Sequence, residues 1–110
     1  VPRHYKIEIA PTAFQSLKAI KDKKIRSAIA KVIDGLSQSP EQRGKLLLGP
    51  LEGVRSARAA RDRYRILYRV HTRARRVSVL LVGERRPGEE ADIYALARKL
   101  LETFGGPKKD

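Results

Sequence analysis

The chain has no cysteine, methionine or tryptophan among its 110 residues, and only 5% of them are aromatic. Without cysteine there is neither a disulfide staple nor a thiolate metal site. That fits a reducing compartment, and the cytoplasm is the expected location. No apolar run approaches the roughly 20 residues that cross a bilayer, and the opening stretch VPRHYKIEIAP carries no hydrophobic signal core. Membrane adsorption is not expected either, because the most basic stretch alternates like a strand and lacks an amphipathic helical stripe. The two histidines, His4 and His71, fall in separate elements with no carboxylate cluster beside them, so no metal and no other cofactor is expected. Acid is scarce: 12 Asp and Glu stand against 25 Lys and Arg, a formal net charge of +13. A charge of that size opposes self-association and favours a polyanion or an acidic protein as partner.

What is present is arginine, in one place. Eleven of the fifteen arginines lie between Arg55 and Arg86, a window with no lysine and only two acids, Asp62 and Glu84. Guanidinium is a planar fork that grips phosphate oxygens in pairs, whereas ammonium is a mobile point charge. Lysines occupy mainly residues 6–45, so the split is regional. A folded surface rich in arginine points to phosphate as the target. Like charges side by side repel, and a surface shaped for stability alone avoids them. Any single arginine is more simply a solvated side chain, and only the cluster argues for anion binding.

The length sets one small domain spanning residues 1–110, which buries roughly two-thirds of its unfolded surface. Tyr5 to Ile9 alternates apolar and polar, as a half-buried strand does. Pro11-Thr12 opens a helix marked by Phe14, Leu17 and Ile20. Ile25, Ile29, Val32, Ile33 and Leu36 draw the stripe of a second helix. Residues 37–44 form a turn region and 45–53 a connector broken by glycine and proline. Three strands follow, over 54–61, 64–71 and 76–82, the last apolar enough to be covered on both faces. A final helix runs over about 91–101, and residues 105–110 should fray. The expected fold is α+β: an N-terminal strand and a helical hairpin packed on a mainly antiparallel four-stranded sheet, with a C-terminal helix.

In the strand 64–71, Tyr64, Ile66, Tyr68 and Val70 share one face, expected to lie against the helices. Arg65, Leu67, Arg69 and His71 share the other, the candidate working face. With an even hairpin loop centred on Asp62-Arg63, Arg58 and Arg65 become diagonal same-face neighbours, roughly 7–8 Å apart. A three-residue loop would put them on opposite faces. His71 is read as a surface residue rather than a base, Tyr64 and Tyr68 as core, and the acids at 89, 90 and 92 as partners of the last helix's dipole.

Four segments carry a resemblance: GPLEG at 49–53, RAARDRYRILYRV at 58–70, VSVLLVGERR at 77–86 and DIYALARKLL at 92–101. In order and spacing they resemble the RelE/ParE superfamily of bacterial toxins from toxin–antitoxin pairs, the RelE branch in particular. That resemblance implies a small metal-independent endoribonuclease that cuts mRNA on the ribosome. In it, Arg65 is the phosphate-binding arginine of the YR pair and Arg85 stabilises charge on the scissile phosphate. Arg58 stands where a basic residue lies on the first hairpin strand, and Tyr94 matches the tyrosine that serves some members as a base. Arg55, Arg61, Arg63, Arg69 and Arg86 are then candidates for binding RNA around the cut. Ser56 departs from the pattern where some members carry another basic residue, and the segment from Arg86 to Tyr94 is longer than in the shortest members. The chemistry implied is attack of a 2′-hydroxyl on the adjacent phosphorus to leave a 2′,3′-cyclic phosphate. The resemblance also implies an acidic antitoxin as partner. Two other readings stand beside it: a ParE-like poison of DNA gyrase without nuclease activity, and an RNA-binding module without catalysis.

Overall fold

The computed structural model describes residues 4–103. The expectation of a frayed tail at 105–110 lies outside the described residues. Strand β1 (Lys6–Ile9) leads into two helices, α1 (Pro11–Ala19) and α2 (Lys23–Gly35). Pro11 occupies the first turn of α1, where its missing N–H costs nothing. Asp22 caps α2 by accepting the N–H groups of Lys24 and Ile25 at 2.9 and 3.2 Å. Then come β2 (Lys45–Leu46), β3 (Arg55–Ala59), β4 (Tyr64–His71), β5 (Arg76–Glu84) and α3 (Ile93–Thr103), with short 3-10 turns at Pro40–Gln42 and Gly49–Leu51. The sheet order is β1-β5-β4-β3-β2, antiparallel except for the β1–β5 pair.

The α+β class and the element order match the sequence-based expectation, but the sheet has five strands rather than four. The extra strand, β2, is two residues long and pairs Lys45 with Ser56 and Leu46 with Arg55. Two residues show no alternation, and the glycines and proline around them read as connector.

One face of the sheet carries the helical hairpin. Ile29, Ile33 and Leu36 of α2 and its C-cap, with Ala13 of α1, pack on Ile66, Tyr68, Val77, Val79 and Val82. The opposite face carries a smaller core in which Leu51, Val54, Leu67 and Leu81 meet Ile93 and Ala97 of α3. A register shift reconciles β5 with both layers: Tyr68 faces Val79 while Leu67 faces Leu81, so Leu80 is an extra residue in the strand. It reverses the side-chain phase midway, which explains the unbroken apolar run. Leu67 is 1% exposed. Burying a leucine of this kind stabilises by about 1.5–3 kcal/mol, and with Leu51, Val54 and Leu81 it helps to hold α3 on the face expected to be the working one.

The β3–β4 turn centres on Arg61-Asp62, one residue earlier than expected, and Ala59 pairs with Tyr64. Arg63 N–H donates to the Ala60 carbonyl at 3.2 Å, and Arg61 and Asp62 have φ of 58° and 65°. Ala60 has a positive φ too, 51°, so three successive residues of this four-residue loop lie in the left-handed region that favours glycine. Asp62→Gly is expected to stabilise the domain by about 0.5 kcal/mol, seen as a higher urea midpoint at unchanged slope. The exposed Arg58–Asp62 ion pair lost in the exchange, 3.7 Å long, is worth little.

Candidate functional site

The hairpin register brings the first two candidates together. Arg58 and Arg65 are direct cross-strand partners rather than diagonal ones, on the sheet face that α3 half covers. The turn lies one residue earlier, but its loop is still even, so the shared face is kept. Directly opposed residues of this kind stand roughly 5 Å apart at Cβ. The next pair along is Arg65 with Gly83, and Arg85 N–H then donates to the Arg63 carbonyl at 2.7 Å. Arg85 is therefore the diagonal neighbour of Arg65. Three arginines form a row across β3, β4 and the end of β5.

Tyr94, in the first turn of α3, roofs this row. Its hydroxyl shares a 2.9 Å hydrogen bond with Ser56 Oγ on β3. The Arg85 guanidinium carbon lies 4.8 Å from the centre of its ring. The ring thus reaches from the end of β5 to β3. Gly83 lets the helix start come this close: a Cβ there would stand 2.7 Å from Ile93 Cδ1.

Asp92 fixes the roof. Its Oδ1 accepts from Arg85 Nη1 and from Arg86 N–H, both at 2.5 Å, and its Oδ2 accepts from Tyr94 N–H at 3.1 Å. The residue is 4% exposed. Burial alone would raise the pKa of the carboxyl, but the bonds from Arg85, Arg86 and Tyr94 outweigh it and hold the group below the usual carboxylate value. The sequence offered Asp92 only as a helix-dipole acid. Its grip on Arg85 was not read, although its place two residues before Tyr94 put it at the helix start.

The other arginines scatter. Arg55 points to the helical-hairpin side, where it donates to the Gly44 carbonyl at 3.0 Å. It also lies beside the buried Tyr68, whose phenol pKa is raised, chiefly by burial. Arg61 and Arg63 sit in the exposed turn, Arg63 paired with Glu84 at 3.2 Å. Arg69 is on the sheet face of the row but lines an apolar groove with Leu67, Leu81 and Leu100. Arg86 pairs with Glu89 at 2.9 Å. His71 bonds Ser78 at 3.0 Å, six residues along β4 from Arg65, about 20 Å away. Of the nine candidates, Arg58, Arg65 and Arg85 share one row of the sheet and Tyr94 lies over Arg85, but the guanidiniums divide, Arg58 and Arg65 turning to Asp62 at one end and Arg85 to Asp92 at the other. The remaining five stand outside the row.

The two ends of the row differ in charge. Beside Arg85 a cleft of about 540 Å³ is lined by Tyr94 and Arg98 but also by Glu89, Glu90 and Asp92. At the other end, Arg58 pairs with the exposed Asp62 carboxylate at 3.7 Å, and Arg65 Nη1 donates to the carbonyls of Asp62 and Tyr64 at 2.6 and 3.2 Å. Among the described residues no group of three His, Asp or Glu side chains is placed to hold a metal ion. Nor is any described helix long and apolar enough to cross a membrane.

Residues 7–87 match the family model described as the ParE toxin of the type II toxin–antitoxin system, parDE. A chain of the RelBE2 toxin–antitoxin complex from Mycobacterium tuberculosis is 32% identical over 77% of this chain and 100% of its own, with a TM-score of 0.67. An arginine-to-alanine double mutant of the Escherichia coli RelE toxin in the free state is 21% identical over 88% of this chain and 97% of its own, also at 0.67. The chromosomal ParDE system of Pseudomonas aeruginosa supplies a chain 20% identical over 74% and 97%, at 0.62. The last two are likenesses of fold. No curated protein sequence is significantly similar.

Proposed function

We propose that this chain, which belongs to the ParE toxin family of type II toxin–antitoxin systems, poisons its host as a metal-independent endoribonuclease that cleaves mRNA on the ribosome. The observation that carries this reading is the row Arg58–Arg65–Arg85 with Tyr94 bridging it to Ser56. RNA supplies its own nucleophile. The 2′-hydroxyl passes its proton to the Tyr94 oxygen as the phenol hands its own proton on to water, and the freed 2′-oxygen attacks phosphorus in line. The 5′-oxygen leaves and takes a proton from water, and the 2′,3′-cyclic phosphate remains. Arg58 and Arg65 hold the phosphodiester, and Arg85 offsets the charge added at phosphorus. Donors aimed where charge develops lower the barrier most. Ser56, neutral where some members are basic, positions the tyrosine oxygen instead of contributing charge.

An acidic antitoxin is the partner this charge calls for. At +13, the domain would bind a negatively charged segment that folds on contact. Ribosomal action places the protein in the cytoplasm, as a single domain over residues 1–110.

The gyrase-poison reading has one observation of its own: Arg85 is held by Asp92 at 2.5 Å, as in a side chain kept for structure. One substitution separates the two. Ribosome-bound mRNA with a single 2′-deoxy nucleotide at the cut site is expected to resist cleavage completely, while unmodified message gives a cyclic-phosphate end. Intact mRNA with broken DNA and filamentous arrest after expression would establish the gyrase reading.

A further inference from the structure

A second basic cleft lies around the corner from the row. It holds about 560 Å³ between α2 and the outer edge of β3, and is lined by Lys31, Gly35, Ser39, Arg43, Ala57 and Arg58 among others. We propose that this cleft is a subsite for the RNA backbone, taking two phosphates outside the nucleotides at the cut. This deepens the nuclease reading above and rests on it for the identity of the polymer.

Three cations line the cleft and no carboxylate does. The C-terminal end of α2 faces it with roughly half a negative charge from the helix dipole, which the Lys31 and Arg43 charges outweigh on their own, while Arg58, paired with the exposed Asp62 carboxylate at 3.7 Å, adds less than a full charge. Arg43 commits one donor, Nε, to the Gln38 carbonyl at 2.7 Å, which steadies the guanidinium rather than neutralising it. The Ser39 hydroxyl and the Gln42 amide add neutral donors at the same wall. Space comes from the sequence of β3. Ala57 is small, and the β2 partner stops at Ser56, so the strand's outer edge is uncovered by sheet beyond that point among the described residues.

Arg58 makes the cleft part of a track. It is exposed, lines this cleft, and is the cross-strand partner of Arg65 on the row. A strand bound at Arg65 continues past Arg58 over the edge of β3 towards Arg43 and Lys31. An acidic peptide would meet the same charges, but an RNA strand held at Arg65 for cleavage already runs on past Arg58, and each further nucleotide brings another phosphate. The continuity through Arg58 therefore favours RNA.

The test uses the full chain and an uncleavable, fully 2′-O-methylated RNA oligonucleotide, with polyglutamate in parallel. Lys31→Ala and Arg43→Ala together are expected to weaken oligonucleotide binding roughly tenfold at 0.1 M salt. They should also flatten the slope of log affinity against log salt by about 1.4, two phosphate contacts at about 0.7 each. Lys31→Ala alone, an exposed helix position where alanine is well tolerated, should produce half of that slope change, and Lys31→Arg should return the wild-type slope. Unchanged slopes in folded variants overturn the inference, as does loss of polyglutamate binding with oligonucleotide binding intact. Wild-type protein that binds the oligonucleotide but never cuts ribosome-bound mRNA sinks the nuclease reading while leaving the subsite standing.

Discussion

Asp92→Ala is expected to lower the unfolding free energy by about 3 kcal/mol, which for a domain of this size lowers the melting temperature by on the order of 15 °C. The change has two parts. Asp92 caps α3: its main-chain carbonyl accepts the Leu96 N–H at 2.9 Å and its side chain accepts from Tyr94 N–H. Loss of such a cap costs about 1 kcal/mol. The larger part is Arg85, whose side chain is 32% exposed and whose partner carboxylate is 5% exposed. Removing that partner leaves a half-buried guanidinium unpaired, and Arg86 N–H loses its acceptor too. Asp92→Asn keeps an acceptor and gives up the charge, so it should fall between wild type and alanine. A double-mutant cycle with Arg85→Ala reads the pair directly.

The same group sets an acid limit. Its pKa is lowered on folding, so the unfolded chain binds the proton more readily. The stabilisation is fully present above the unfolded value of about 4 and is lost as pH falls through the lower folded value. Wild type should therefore lose stability below about pH 4 more steeply than Asp92→Asn.

The helices and the three long strands were legible because their periodicities are clean and their burial is one-sided. Ile25 to Leu36 repeats at helical spacing and buries that stripe, and Tyr64, Ile66, Tyr68 and Val70 face the hairpin as alternation requires. Three things were not legible. β2 is too short to alternate. The extra residue Leu80 hides in an apolar run that reads the same with or without a bulge. The sharing of the Leu67 face between α3 and the arginines depends on where a helix docks, which no local pattern states. For the site, parity placed Arg58 beside Arg65 whichever even loop formed. The link from Asp92 to Arg85, and from Tyr94 to Ser56, spans strands that only tertiary packing brings together. Acids near arginines are common in a chain one-third charged, so spacing alone could not single this pair out.

Arg65→Ala is expected to lower the rate of mRNA cleavage at least 100-fold and to abolish growth arrest on expression, with no loss of fold. A positioned donor to the reacting phosphate is worth about 10²–10³ in rate. Stability should change little, because the side chain is half-buried at the edge of the site and its hydrogen bonds run to the Asp62 and Tyr64 carbonyls in and beside the turn. Water can replace both. Arg58→Ala should fall in the same direction but less far, since its guanidinium is two-thirds exposed and its share of the phosphate is screened by solvent. Arg65→Lys separates charge from shape. If the fork geometry matters, lysine restores RNA binding better than it restores rate, because one ammonium cannot grip two phosphate oxygens at once. Wild-type cleavage by a folded Arg65→Ala protein would falsify the assignment of this row to catalysis. The arginines would then be a binding face, and the salt dependence of RNA affinity, not the product end, would be the property that Arg65 controls.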